Sequence, residues 1–424
     1  MSTNTAAAPP ESIFKNRFFQ TVLLSNVLLQ IGIWVRNFAI LLFVTDKTNN
    51  DPISVSLISV VEFAPIFIFA FIGGTFADRW RPRRTMIWCD FLSAASVFVV
   101  LGSLMIGSWQ LIYLATAVSA ILSQFSQPSS MKLFKKHVPE NQLQSAMALF
   151  QSLIGIFMVL GPSLGVFVYQ TYGIEISIAI MGIAFLLSAV VLFRIPKDDK
   201  EEAAAAAGDK QFWKELTDGL RYVWKSKVLR PLGGTFALAG TAIGTIQSLG
   251  IFLVIERLDQ SKDFLQYLLM VNGFAMLIGG GLIMAVAKKV QPQVILAAGT
   301  VVSAVTIAGM GISTNVTLTL VLQFLSGLMM PGIQIGISTM ILKWTEPEYI
   351  GRVNGALSPM FMGMMVIMMS LSGVLKSAFP LVGIYIFAGF VMILCVPLLV
   401  PIFKLRPPGE EANAAAAEVN EAAR

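Results

Sequence analysis

Two charges stand inside long apolar runs of this chain: Arg36, eight residues before Val44, and Glu62, nine residues after Ile53. A charge near the middle of a bilayer costs about 2.5–3.5 kcal/mol on insertion scales and must be compensated. At a rise of about 1.5 Å per residue the two reach similar depth, so they can compensate each other. A guanidinium beside a carboxylate at that depth either pins two helices as a fixed bridge, or takes up and releases a proton and touches a passing solute. The residues alone leave both open. A third embedded charge, Asp90, lies six residues beyond Arg84 and is expected to face the arginines there as a structural or gating partner.

The elements that hold these groups follow from composition. With 56% hydrophobic and 13% charged residues, the 424-residue chain carries more apolar surface than a soluble core of that length can hide. Runs long enough to span a membrane lie near 18–44, 53–76, 85–107, 109–133, 143–169, 174–194, 231–255, 264–287, 293–313, 316–342, 353–375 and 380–403. The expected fold is an all-α membrane protein of twelve transmembrane helices in two six-helix halves. The first run is too long for a signal-peptide core and lacks a small-residue cleavage site, so it is expected to remain. With both termini in the cytoplasm, all of the 30 lysines and arginines except Lys47, Arg257, Lys262, Lys376 and the embedded Arg36 fall on the cytoplasmic side, as loop-charge bias requires. The organisation is then a cytoplasmic N-terminus (1–17), a first bundle (18–194), a cytoplasmic linker (195–230), a second bundle (231–403) and a cytoplasmic tail (404–424). Within the linker, Phe212, Trp213, Leu216, Leu220, Val223 and Trp224 recur at helical spacing opposite Lys214, Asp218, Arg221 and Lys225, the pattern of a helix lying in the headgroup region.

Other chemistries find little support. Cys89 and Cys395 both fall in apolar segments, which argues against a disulfide framework or a thiolate metal site, and His137 sits in a Lys-rich loop where solvation is expected. No Gly-rich phosphate loop precedes Lys-Ser or Lys-Thr, and the net charge of +6 is explained by the loops, so no nucleotide, nucleic acid, metal or other cofactor is expected. Catalytic residues are not expected either, because an intramembrane enzyme needs clustered acids, histidines or a nucleophile with its base. Runs seven to twelve contain no ionisable side chain in their interiors, which leaves Glu62 as the first candidate for proton coupling.

Between the second and third runs the chain reads Gly73-Gly74-Thr75-Phe76-Ala77-Asp78-Arg79-Trp80-Arg81-Pro82-Arg83-Arg84. Glycines permit close helix approach, and the arginines must leave the hydrocarbon, so this is a tight turn at the membrane surface. The stretch resembles the loop between helices two and three of the major facilitator superfamily, matching it at Gly74, Asp78, Arg79, Arg83 and Arg84, with Arg81 where the family usually has glycine. Internal echoes fit a duplicated fold of this kind: Pro139-Glu140 with Ala148-Leu149 returns as Pro347-Glu348 with Ala356-Leu357. Gly161-Pro162-Ser163-Leu164-Gly165 resembles the G-P-x-x-G motif of the antiporter, or exporter, branches of that superfamily. Gly32-Ile33-Trp34, Glu62-Phe63-Ala64-Pro65, Ile195-Pro196 and Glu348-Tyr349-Ile350-Gly351-Arg352-Val353 extend the likeness to the drug:proton antiporter branch that includes macrolide-efflux proteins and siderophore exporters. Where that branch often carries an arginine in its fourth helix, this chain has Ser119.

The resemblance implies that runs one, four, seven and ten line a central cavity, and the substrate-binding set expected from them is Gln30, Trp34 and Asn37, Gln124 and Gln127, Gln247, and Gln323 and Gln334. Arg36 and Glu62 are the expected proton-coupling pair. Gly74, Asp78, Arg79, Arg83, Arg84, Asp90, Gly161, Pro162 and Gly165 are the expected gating residues. The methionines from Met360 to Met369 offer thioether surface that repacks around varied apolar ligands. The expected activity is export of an amphipathic small molecule from a bacterial cytoplasm by a monomer in the inner membrane, driven by proton entry and bathed in membrane lipid. A lipid or lysolipid flippase, or a siderophore exporter, is the alternative on the same fold.

Overall fold

The computed structural model describes residues 16–196, 209–286 and 289–404, with the side chains of 70–79, 209–216 and 404 outside the description. Helix α1 spans Arg17–Lys47, α2 Pro52–Arg79, α3 Pro82–Met105, α4 Leu111–His137 and α5 Glu140–Leu192. The second half follows with α6 Asp209–Lys225, α7 Leu229–Gln247, α8 Gly250–Phe252, α9 Leu265–Val286, α10 Pro292–Ile312, α11 Val316–Trp344, α12 Ile350–Ala378, α13 Leu381–Ile393 and α14 Cys395–Leu399. No strand occurs among the described residues.

Local chemistry sets the helix ends. The Asn16 carboxamide oxygen accepts from the backbone N–H groups of Phe18 and Phe19, while its amide donates to the His137 carbonyl at 3.0 Å, so the cap of α1 also ties it to the end of α4. The His137 ring packs 4.8 Å from Phe18 and is half-buried, not solvated as its lysine-rich setting suggested. Asp51 precedes Pro52 and accepts from both the backbone and the hydroxyl of Ser54. The hydroxyl contributes most to holding this carboxyl below its ordinary range.

Nine described helices are long and apolar enough to cross a membrane, or ten when α7 is joined to the bent segment ending at Arg257. α5 counts once among them although its 53 residues would extend about 80 Å if straight, more than twice a hydrocarbon core. It folds back at Gly173, whose φ of 78° is open to a residue without a β-carbon. Two crossings therefore share α5. α4, whose Gln124, Gln127 and terminal lysines lower its hydropathy, completes the twelve.

The two halves meet unevenly. α2 packs on α12, with Phe67 against Gly363 and Pro52 against Gly373, and α5 packs on α9, with Met158 against Gly273 and Leu277 against Gly155. Around the end that carries the α1–α2 turn, one core joins both halves: Phe38, Leu42 and Val166 with Leu249, Phe252, Leu265 and Tyr385. At the opposite end, which carries most of the basic residues, the described clusters each stay within a half. Phe19, Met86, Phe134 and Leu192 form one, and Leu232, Met340, Leu357 and Leu399 form the other. The shared core closes the molecule at the first end.

α6 is helical as its periodicity predicts, but it docks on the second half. Tyr222 stacks on Tyr349 at 4.5 Å, Val223 is buried with Leu229 and Val353, and Gly219 lies so close to the Arg352 carbonyl that a β-carbon would overlap it. Leu220 and Trp224 remain exposed. Gly219→Val is expected to undock α6, since overpacking of this kind costs about 1–3 kcal/mol. Hydrogen exchange should then rise about tenfold or more across α6 and stay unchanged in α1. Equal protection in the variant and the parent would show that the close approach holds nothing.

Candidate functional site

Arg36 and Glu62 meet, and a third residue stands between them. The Arg36 Nε and Nη2 both donate to the Asn37 Oδ1, at 3.0 and 2.7 Å, and the Asn37 Nδ2 donates to Glu62 Oε1 at 3.2 Å. The direct Arg36–Glu62 separation is 3.8 Å. The two charges differ in access: the Arg36 side chain is 5% exposed and that of Glu62 27%. Arg36 Nη1 is buried with no hydrogen-bond partner among the described residues. A guanidinium is therefore held down by an amide while the carboxylate keeps one side open. Asn37, expected among the substrate-binding amides, is half-exposed here and bridges the pair through both its oxygen and its nitrogen.

Trp34 lies one turn earlier on α1. Its ring stacks on Phe38 and fills a notch in α5 made by Gly161, where a β-carbon would overlap the indole. At Gly165 a β-carbon would stand 2.7 Å from both the Trp34 carbonyl oxygen and the Phe38 Cβ. Gly161, Pro162 and Gly165 are buried, so this motif is the seat on which α1 rests. Trp34, expected in the substrate-binding set, is half-buried and contributes to helix packing.

The remaining amides behave otherwise. Gln124 donates to its neighbour Ser123 at 3.0 Å. The side chains of Gln30, Gln127, Gln247, Gln323 and Gln334 make no hydrogen bond among the described residues, and all are partly or fully exposed. An amide turned into hydrocarbon without a partner is costly. Met360, Met364 and Met368 stay half-exposed, while Met365 and Met369 are core.

The gating set divides. The side chains of Gly74, Asp78 and Arg79 lie outside the described residues. Arg83 Nη2 donates to the Phe193 carbonyl at 2.8 Å and its guanidinium lies over that ring, while Arg84 is exposed. Asp90 does not face the arginines. It is buried and accepts from Ser188 at 2.5 Å, and the Ser188 hydroxyl in turn meets Ser25 at 2.7 Å, joining α3, α5 and α1. Six residues along a helix turn about 240°, which carries Asp90 away from the face of Arg84. Ser119 is buried, and its hydroxyl has no partner among the described residues.

The profile described as Major Facilitator Superfamily matches residues 22–293 and, again, 235–423, together most of the chain. The chain belongs to that superfamily. As a member it is a transporter and not an enzyme. It is 27% identical over 420 residues to a Bacillus subtilis (strain 168) protein named uncharacterized MFS-type transporter YkuC, covering 97% of each chain. It is 23% identical over 401 residues to macrolide efflux protein A of Streptococcus pyogenes, covering 91% of this chain and 95% of that one. The fold is that of the nucleoside transporter NupG, solved as a point mutant, with a TM-score of 0.74 at 11% identity over 92% of this chain and all of that one.

In a two-half transporter, contacts that join the halves at one end only are state-dependent. The structure holds one that sequence reasoning missed: Lys262, just before α9, pairs with Asp46 at the end of α1. Nothing local in the sequence couples residues so far apart. Asp46→Lys is expected to open this end, raising the open population by up to about fivefold, the range for exposed pairs. Spin labels at Asn49 and Gln260 would read the distance, and adding Lys262→Asp should restore it. An unchanged distance distribution in Asp46→Lys would remove the pair from the gate.

Proposed function

We propose that this superfamily member exports neutral or cationic amphipathic small molecules, of the macrolide type, by exchange for protons. The observation that carries the proposal is the unequal pair: a buried, amide-clamped Arg36 facing a Glu62 that remains partly open. A fixed bridge is best served by two buried, directly bonded partners. Here the longer direct contact and the intervening Asn37 leave the carboxylate able to change partner. Unpartnered glutamines on α1, α4, α7 and α11 supply orienting contacts without charge, which favours uncharged or cationic cargo over polyanions. The macrolide-efflux name of a relative at low identity supports the same class.

The cycle follows from the halves. Positive-inside orientation puts the basic end in the cytoplasm, so the shared core closes the outer end and cargo enters from the cytoplasmic side. Cargo approaching Glu62 favours departure of its proton. Rearrangement to the outward state releases cargo, and a proton from outside returns to Glu62. The test is uptake of a fluorescent macrolide and of a cationic dye by inside-out proteoliposomes, with and without an imposed proton gradient. Gradient-dependent accumulation of either supports the proposal. Transport that ignores the gradient, or that prefers a multiply charged anion and is abolished by Arg36→Ala, would turn it toward the flippase or siderophore alternative.

A further inference from the structure

Away from the central pair, a groove of about 530 Å³ opens on the flank of the first half, lined by Arg83, Arg84, Ile87, Trp88, Phe91 and Phe193. It sits at the basic end, between the start of α3 and the end of α5. Along α3 the residues Arg84, Trp88, Leu92, Ala95 and Val99 are all exposed, one stripe that begins charged and continues apolar into the membrane. Trp88 is 63% exposed, the placement of a residue at the headgroup boundary. On the other wall Arg83 fixes Phe193 through its carbonyl and its ring, so the groove has a built side rather than a loose one.

Charge decides what fits. Between Asp78 and Arg84 the chain carries Arg79, Arg81, Arg83 and Arg84 against the single acid Asp78, and Asp90 further along α3 is turned inward to Ser188. The first turn of α3 adds the positive end of its dipole, and its N-cap, Arg81, makes no side-chain cap bond. An anion is favoured at the mouth and an apolar chain along the floor. Basic pockets between helices on this side of a membrane suit acidic headgroups.

We infer that this groove binds an acidic glycerophospholipid of the surrounding leaflet, its phosphate at Arg84 and the start of α3 and an acyl chain along Trp88 and Leu92. A small inorganic anion would leave the Trp88, Phe91 and Phe193 surfaces unused, and a cationic amphipath would meet the arginines. The site is thus distinct from the cargo path.

Native mass spectrometry of the full chain, released from detergent micelles holding equal phosphatidylglycerol and phosphatidylcholine, tests this. Phosphatidylglycerol should be retained in preference, and Arg84→Gln should reduce its retention about fivefold, the effect of removing one cation near a membrane surface. Arg84→Lys should keep it, Trp88→Ala should lower it without altering charge, and Arg257→Gln, at the opposite end where Arg257 donates to the Ile312 carbonyl, should not matter. Millimolar sodium phosphate should not displace the lipid. Equal retention of both lipids, unchanged retention in Arg84→Gln, or displacement by phosphate would each overturn the assignment.

Discussion

Glu62→Gln is expected to abolish gradient-driven accumulation, a loss of at least about tenfold, while substrate exchange without a gradient and the folded state persist. The amide keeps the shape of the carboxylic acid and can still accept from the Asn37 Nδ2, now 3.2 Å from Glu62 Oε1. What it loses is the charge and the exchangeable proton. Burying one unpaired charge is costly, so the variant leaves Arg36 less well compensated and should fold with reduced stability. Arg36→Ala has the opposite imbalance: the acid loses its cation, and transport should stall. A merely structural bridge differs in the double variant: under that alternative Arg36→Leu combined with Glu62→Leu restores both stability and uphill transport. Proton-driven accumulation by the double variant would therefore eliminate Glu62 as the coupling site.

Much of this arrangement was legible before any coordinates. Counting residues from the span ends placed Arg36 beside Glu62, because helix rise converts sequence separation into depth. The twelve crossings followed from apolar run length, and the break between runs five and six coincides with the Gly173 turn. What could not be read was azimuth. Asn37 lies next to Arg36 in sequence, and only the rotation of α1 against α2 makes it the bridge to Glu62. Asp90 was assigned to the arginines by proximity along the chain, whereas the turn of α3 presents it to Ser188. Distance in sequence hid the rest: the Tyr222–Tyr349 stack and the Asp46–Lys262 pair join segments whose meeting depends on how whole helices pack. The signal available for the latter was only that an acid and a lysine both fall in loops expected on the same side.

The largest packing effect is expected at Gly161. Valine there would drive its β-carbon into the Trp34 indole, and the contact has no easy exit because Trp34 is already stacked on Phe38 and followed by the Gly165 seat. Overpacking typically costs about 1–3 kcal/mol, and a displaced α1 would also carry Arg36 and Asn37 out of register with Glu62. Gly161→Val should therefore lower the thermal unfolding temperature and abolish transport together. Trp34→Ala alone should also destabilise, though by less than the cost of about 3–5 kcal/mol for a fully buried aromatic, because the ring is half-buried. Combined, the two changes partly cancel, since the valine occupies space the indole has left. The double variant should be more stable than the sum of the singles by about 0.5–3 kcal/mol, the coupling of residues in contact. Strict additivity would mean that the glycine motif bends α5 for its own reasons and that α1 does not rest on it. Recovered folding with transport still absent would instead place Trp34 in the moving surface between α1 and α5, where the notch must fit its knob in more than one state.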